Sequence, residues 1–334
     1  MSKTKRLLVI TEGGREFGFG HITRTQSISY FFTLNGFSIR FIINGDDSIC
    51  NDDNILIFDW INDTKLLFNE IEKSTIILLD SIVVSNDLIK QIEKKDKPVI
   101  FIDDDKRRNI LDRGFVLDWT VLSEKKDYFK DKKDGVKYFL GSYYTPLRKE
   151  FLDIKKHKID TNLNSITITF GGSDIRNLTP KIMRYLSEKF CDITLNVVIG
   201  NGYSNVEEIK SLKKENINLI YNATAIQMIE LMQNSSLVIA SGGQTLYEMA
   251  YIGVPAISIL LVDNAKDDTI GWDEVGAIKY IGWYNDKNLL QNLVYEIYNL
   301  KDSSKRLSMQ KNGMKYIGKG GINKFVKEVL DGIV

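Results

Sequence analysis

Short apolar runs recur along the chain, separated by segments whose apolar residues fall at helical spacing. This pattern predicts parallel strands buried between helices, because a strand covered on both faces reads as a continuous apolar run. In the first half the predicted strands are 7–10, 39–43, 55–58, 75–79, 99–102 and 116–122. Ser85 is the expected N-cap of a helix over 86–94, with Leu88, Ile89 and Ile92 as its apolar stripe. Between 151 and 164 the period lapses into a charged stretch, read as an interdomain linker that carries His157. The pattern then restarts, with strands at 166–170, 193–199, 217–221, 237–240 and 256–261. Helices are expected from about Asn177, over 225–232 and over 244–251, with Gly253 closing the last and Pro255 opening the next strand. The tail, 288–300 and 305–330, reads as helical. The expectation is an α/β protein with two similar halves, one domain over 1–152 and another over 165–334.

One stretch stands out chemically: Gly18-Phe19-Gly20-His21-Ile22-Thr23-Arg24, between the first strand and the first helix. A strand, a glycine turn and a helix start form a ready anion site, since the first helical amides are unpaired and point outward. His21 would sit at the carboxyl end of the first strand, where open α/β sheets bind ligands. The positive helix end disfavours imidazolium, so His21 is expected to stay neutral and able to accept a proton. The stretch is not a dinucleotide fingerprint, because Thr23 stands at the third glycine position. A helix-capping role is the competing reading of His21. Strand-end acids, Asp80 and Asp103-Asp104-Asp105, face the same edge and are read first as caps of the segments that follow.

In the second half the double-glycine turns Gly171-Gly172-Ser173 and Ser241-Gly242-Gly243 could direct backbone amides at one diphosphate. Glu248, one turn into the following helix, could reach a ribose diol; a solvated helix face is its alternative. There is no P-loop pattern.

Composition narrows the classes. With 334 residues the chain can build two cores, and 43% hydrophobic with 27% charged residues is ordinary for a globular protein. Lys+Arg number 45 against 44 Asp+Glu, so no basic field invites nucleic acid. The two cysteines, Cys50 and Cys191, lie far apart; they point to a reducing cytoplasm and to small core residues, not to a disulfide framework. Two histidines and two scattered cysteines do not make a zinc site, while magnesium on carboxylates stays open. The apolar run at 7–10 is too short for a signal peptide, and that at 256–262 for a transmembrane segment.

Three segments resemble the nucleotide-binding half of GT-B enzymes: ITFGGSDIRNL at 168–178, IASGGQTLYEMA at 239–250 and GVPA at 253–256. GFGHITR at 18–24, FIDDD at 101–105 and GSYYTPLRKEF at 141–151 extend the resemblance to the UDP-sugar hydrolases of the pseudaminic acid pathway and the spore-coat polysaccharide proteins grouped with them. That resemblance implies two Rossmann-like domains with parallel sheets facing across a cleft. It implies a cytoplasmic enzyme of surface-glycan biosynthesis, of the nonulosonic acid type, that cleaves a UDP-sugar at its anomeric carbon with water. The alternative is a glycosyltransferase passing the sugar to a glycan, lipid or protein acceptor. No cofactor is implied. His21 inherits the role of general base. Gly18, Gly20 and Arg24 fall with it on the substrate side; Gly171, Gly172, Ser173, Ser241, Gly242, Gly243, Thr245, Glu248 and Asn264 fall on the nucleotide. The chain departs from the family at TEGG (11–14), where an Arg-x-Asp segment is usual, and at DSIV (80–83), where Asp-His-Tyr-Gly is usual. It also carries Asn264-Ala265 where Asn-Gln is usual. If another group holds the attacking water, Glu12, Asp80 and Tyr143 are the candidates.

Overall fold

A computed structural model describes residues 5–49, 52–104, 106–126, 130–318 and 320–333. Cys50 and Asp105 lie outside the described residues. The chain forms two compact units: Met1–Lys149 with Gly318–Val334, and Glu150–Ile317.

In the first unit the elements run β1 (Arg6–Glu12), α1 (Gly20–Thr33), β2 (Ser38–Asn44), β3 (Ile55–Ile57), α2 (Thr64–Glu72), β4 (Ile76–Asp80), α3 (Asn86–Glu93), β5 (Val99–Ile102), β6 (Gly114–Asp118) and β7 (Val136–Leu140). The strands form one parallel sheet in the order β3-β2-β1-β4-β5-β6-β7. Leu7 to Ile10 of β1 and Ile76 to Leu79 of β4 are wholly buried, as strands covered on both faces must be. α3 starts where expected: the Ser85 hydroxyl accepts the Leu88 amide, and Leu88, Ile89 and Ile92 are buried. Trp60, also buried, donates its Nε1–H to the Thr11 carbonyl at 2.8 Å and so anchors the carboxyl end of β1.

The second unit runs β8 (Ser165–Thr169), α4 (Leu178–Lys189), β9 (Thr194–Ile199), α5 (Val206–Ser211), β10 (Ile217–Tyr221), α6 (Ala225–Asn234), β11 (Leu237–Ser241), α7 (Gln244–Ile252), β12 (Ala256–Leu260), α8 (Lys266–Glu274), β13 (Ile278–Trp283), α9 (Leu289–Asn299) and α10 (Ser303–Tyr316). Its sheet is again all parallel, in the order β10-β9-β8-β11-β12-β13. The last helix, α11 (Gly321–Asp331), belongs to the first unit, where Phe325 stacks edge-on against Phe139 of β7 with centroids 4.8 Å apart.

Four features differ from the sequence expectation, each for a physical reason. β7 and β13 are edge strands, half exposed, so their mixed polarity hides them from a search for apolar runs. The tail does not stay with the second domain: α11 buries Ile322, Phe325, Val326 and Val329, an apolar stripe that covers first-unit residues. The charged stretch before β8 is no free linker. Its backbone is tied to the second unit by His157 N to Ile252 O at 2.9 Å, and by the buried Arg306 guanidinium, which donates to the carbonyls of Asp160, Thr161 and Asn162. Cys191 is exposed and not a core residue, because it follows the end of α4 in a turn.

Candidate active site

In each sheet the strand order reverses beside the first strand of the unit. Such a switch point leaves a crevice outside the carboxyl ends of two adjacent strands, because their connections leave to opposite sides. In the first unit the strands are β1 and β4, with Thr11 in register with Asp80.

The chain leaves β1 through a glycine turn and enters α1 at Gly20. Gly18 has φ +73°, a backbone that glycine adopts without strain. Phe19 is the N-cap and supplies no side-chain cap, so the first amides of α1 stay open. His21 is the second residue of the helix, and its Nδ1 lies 3.0 Å from Asp80 Oδ1. Arg24, one turn on, donates from Nε to Asp80 Oδ2 at 2.7 Å and from Nη2 to Oδ1 at 2.5 Å. Its Nη1 donates to Asp104 Oδ2 at 2.6 Å, and its Cζ lies 5.1 Å from the centroid of the buried Trp119 ring. Arg24 Nη2 also comes within 3.1 Å of His21 Nδ1. An ionised carboxylate is the stronger partner for that nitrogen, so the network assigns the proton to Nδ1. Nε2 is then the free lone pair, without a protein partner among the described residues.

The side chain of Asp80 is 1% exposed and that of His21 11%. Burial alone would raise Asp80, but Arg24 and His21 outweigh it and hold the carboxyl well below the usual range. For His21, burial pushes down and Arg24 adds to it. Asp80, by charge and hydrogen bond, and then Glu12 push up harder, and the net shift is upward. The shift thus runs opposite to the one expected from the helix N-terminus alone. A full carboxylate at 3.0 Å outweighs a partial charge spread over a helix end.

The other strand-end acids divide. Asp103 is a cap, accepting the Arg108 and Asn109 amides at 2.8 and 2.9 Å. Asp80 and Asp104 instead reach across to Arg24. Asp118, at the end of β6, is buried; burial pushes it up to about 7 against the opposing pull of Arg107, whose Nε lies 3.0 Å away. Asp118 and the adjacent Trp119 carried no motif: the run 116–122 reads as one strand, whereas β6 ends at Asp118. Glu12, closing β1, is buried as well. Tyr143 packs its ring against Gly318, beside α11.

In the second unit β8 and β11 flank the switch point, and both double-glycine turns leave from it. A cavity of about 150 Å³ joins them, lined by Phe170, Ser173, Ile175, Ser241, Gly242, Leu261, Val262 and Ala265. The turns are not equivalent. After Gly171-Gly172-Ser173, the Asp174 carboxylate takes the first α4 amides, Leu178 and Thr179 at 2.9 and 2.8 Å. After Ser241-Gly242-Gly243, α7 begins with no side-chain cap on Gly243, and the Leu246 amide turns back to the Gly243 carbonyl at 3.0 Å. Gly243 has φ +98°. Thr245 lies in the first turn of α7, half-buried. Glu248, one turn in, is 4% exposed, which excludes a solvated helix face. Asn264 lies exposed in the turn after β12. Among the described residues no acid, histidine and cysteine cluster could hold a metal, and no helix is long and apolar enough to cross a membrane.

Comparison with known proteins follows the same lines. Residues 166–321 match the glycosyltransferase family 28 C-terminal domain. The chain is 30% identical over 279 residues to an uncharacterized protein of Methanocaldococcus jannaschii, covering 75% of this chain and 55% of the relative. It is 21% identical over 325 residues to the spore coat polysaccharide biosynthesis protein SpsG of Bacillus subtilis, covering 93% and 94%. It is 23% identical over 268 residues to the pseudaminic acid cytidylyltransferase and UDP-2,4-diacetamido-2,4,6-trideoxy-beta-L-altropyranose hydrolase of Helicobacter pylori, covering 78% and 46%. The chain thus spans about half the length of the first and third relatives and nearly all of the second. Among solved structures, MurG of Acinetobacter baumannii aligns with TM-score 0.70 at 14% identity, over 98% of this chain and 99% of that one. UDP-GlcNAc 2-epimerase of Neisseria meningitidis bound to UDP-GlcNAc aligns with TM-score 0.63 at 14% identity, over 98% and 100%. The chain has the GT-B fold, and by sequence it resembles the pseudaminic acid pathway hydrolase and the spore coat protein.

Proposed function

We propose that this chain is a nucleotide-sugar-processing enzyme of surface-glycan biosynthesis that hydrolyses a UDP-sugar at its anomeric carbon, releasing UDP and free sugar. The observation that carries the reading is the His21–Asp80 contact at 3.0 Å, which turns the unprotonated Nε2 into a base at a sheet switch point. Water gives a proton to His21 Nε2 while its oxygen bonds to C1. The bond from C1 to the β-phosphate oxygen breaks, and its electron pair leaves with UDP. Attack opposite the leaving group inverts the anomeric centre. Asp80 holds the ring and stabilises the imidazolium that forms, as the carboxylate does in a Ser-His-Asp triad. Arg24, balanced by Asp104, holds Asp80. The positive N-terminal end of α7 meets the charge that develops on the diphosphate, the kind of fixed dipole that contributes most in such reactions. Glu248 binds the ribose. The named activities of the Helicobacter pylori relative and of the UDP-GlcNAc-bound epimerase support a UDP-sugar substrate.

The transferase reading is favoured by one observation. Ile82 and Val83, where the hydrolases have Tyr and Gly, form an apolar tip, with Val83 41% exposed. A hydroxyl carried on an acceptor would fit such a surface better than water. Incubation with a panel of UDP-sugars and no acceptor decides between them. Hydrolysis predicts UDP release on the order of 1 s⁻¹ or faster. Release at background that rises only with a glycan or lipid acceptor replaces it with transfer.

A further inference from the structure

The two first-unit segments in which the chain departs from the hydrolase pattern, 11–14 and 80–83, meet in the fold. Glu12 ends β1, and its Oε1 accepts the Ile82 amide at 2.7 Å. Its Oε2 is fully buried, with no hydrogen-bond partner among the described residues. Ser81 Oγ accepts the Val83 and Val84 amides at 3.2 and 3.0 Å. From the other side Arg108 donates to the carbonyls of Val84, Ile82 and Ser81 at 2.5, 3.3 and 3.4 Å, and Lys106 Nζ donates to Ile82 O at 2.6 Å. A loop of four residues without regular structure is thus held through six backbone groups, immediately after the carboxylate that orients His21. Exposed cations could pin its carbonyls cheaply. A buried carboxyl under its amide is costly, and such a group persists where position matters.

We propose that Glu12 is a positioning residue that fixes Ser81–Val84 as the wall beside His21 and thereby decides which hydroxyl reaches the base. The inference rests on the reading of His21 as the base. Burial pushes the Glu12 carboxyl up, against the Ser81 hydroxyl, the His21 ring and the Ile82 amide. Glutamine is a near isostere of glutamate, and its side-chain oxygen can still accept the Ile82 amide. A held wall favours water as the nucleophile; a loose one lets a small alcohol enter and attack C1 in the same way.

The test uses the full chain, a UDP-sugar that it turns over, and methanol as the probe nucleophile. In Glu12→Ala the ratio of methyl glycoside to free sugar rises by about fivefold or more, and turnover falls by about tenfold, while inhibition by UDP is unchanged. Glu12→Gln stays within about threefold of wild type in all three. Amide exchange at 81–84 accelerates by about tenfold or more in Glu12→Ala and not in Glu12→Gln. Unchanged exchange overturns the proposal, and so does faster exchange with an unchanged product ratio. If Glu12→Ala fails to fold, Glu12→Asp, which keeps the acid but shortens its reach, is held to the same two readouts. A wild-type enzyme that needs an added acceptor removes the hydrolase reading instead. Glu12 is then judged by exchange together with transfer to that acceptor, which Glu12→Ala must slow and Glu12→Gln must spare.

Discussion

The two sheets carry their crevices at the same topological place, beside β1 and beside β8, yet they furnish them from different parts of the chain. At the first edge the groups are side chains: His21, Arg24 and Asp104 form one charge network around the buried Asp80. At the second edge the groups are mostly backbone: glycine turns and an α7 start with no side-chain cap, with two buried acids, Asp174 and Glu248, beside them. Side chains can exchange protons, which chemistry at a sugar carbon needs. Backbone amides cannot, but they point fixed dipoles at a charge and do not reorganise as it develops. Parallel architecture therefore does not imply parallel duty. A single substitution at the first edge should remove turnover and leave binding, and one at the second should do the reverse.

The largest effect is expected at His21. His21→Ala should lower turnover by about 10²- to 10⁴-fold, the usual contribution of a general base, with UDP affinity nearly unchanged. Steady-state kinetics beside calorimetric titration with UDP decides it. Turnover within a few-fold of wild type removes the division of labour between the edges.

Next comes Asp80→Asn, which keeps the shape but no longer holds the proton on Nδ1. Turnover should fall by roughly 10²-fold. The pH profile supplies the sharper check. Asp80 raises the His21 pKa in the wild type, so its neutralisation must lower that pKa. A base works only when neutral, so the acid limb of kcat/KM should move to lower pH. A limb that stays in place, or moves upward, would show that another group titrates there.

The smallest effect belongs to the second edge. A charge-assisted hydrogen bond is worth roughly 1.5–3 kcal/mol, so Glu248→Gln should weaken UDP by about 10- to 100-fold. The turnover number at saturating substrate should hold. Loss of turnover with unchanged UDP affinity would reverse the assignment and erase the contrast between the two edges.

The inner strands were legible in the chain because burial on both faces demands unbroken apolar runs, as in Leu7 to Ile10 and Ile76 to Leu79. Two short-range features were equally plain: the Ser85 cap, and the glycine turn that sets His21 on the first turn of α1. These depend on neighbours a few residues away, and local chemistry specifies them. Edge strands β7 and β13 depend on having one partner strand instead of two, and their half-exposed residues blur the pattern. The aspartates show the limit most clearly. Asp80, Asp103 and Asp104 all end strands and read alike, yet Asp103 caps its own loop while Asp80 and Asp104 converge on Arg24. Asp80 reaches His21 because β4 lies next to β1, although 59 residues separate the two side chains in the chain. Strand order is a property of the assembled sheet, and so is the charge of every buried group that depends on it.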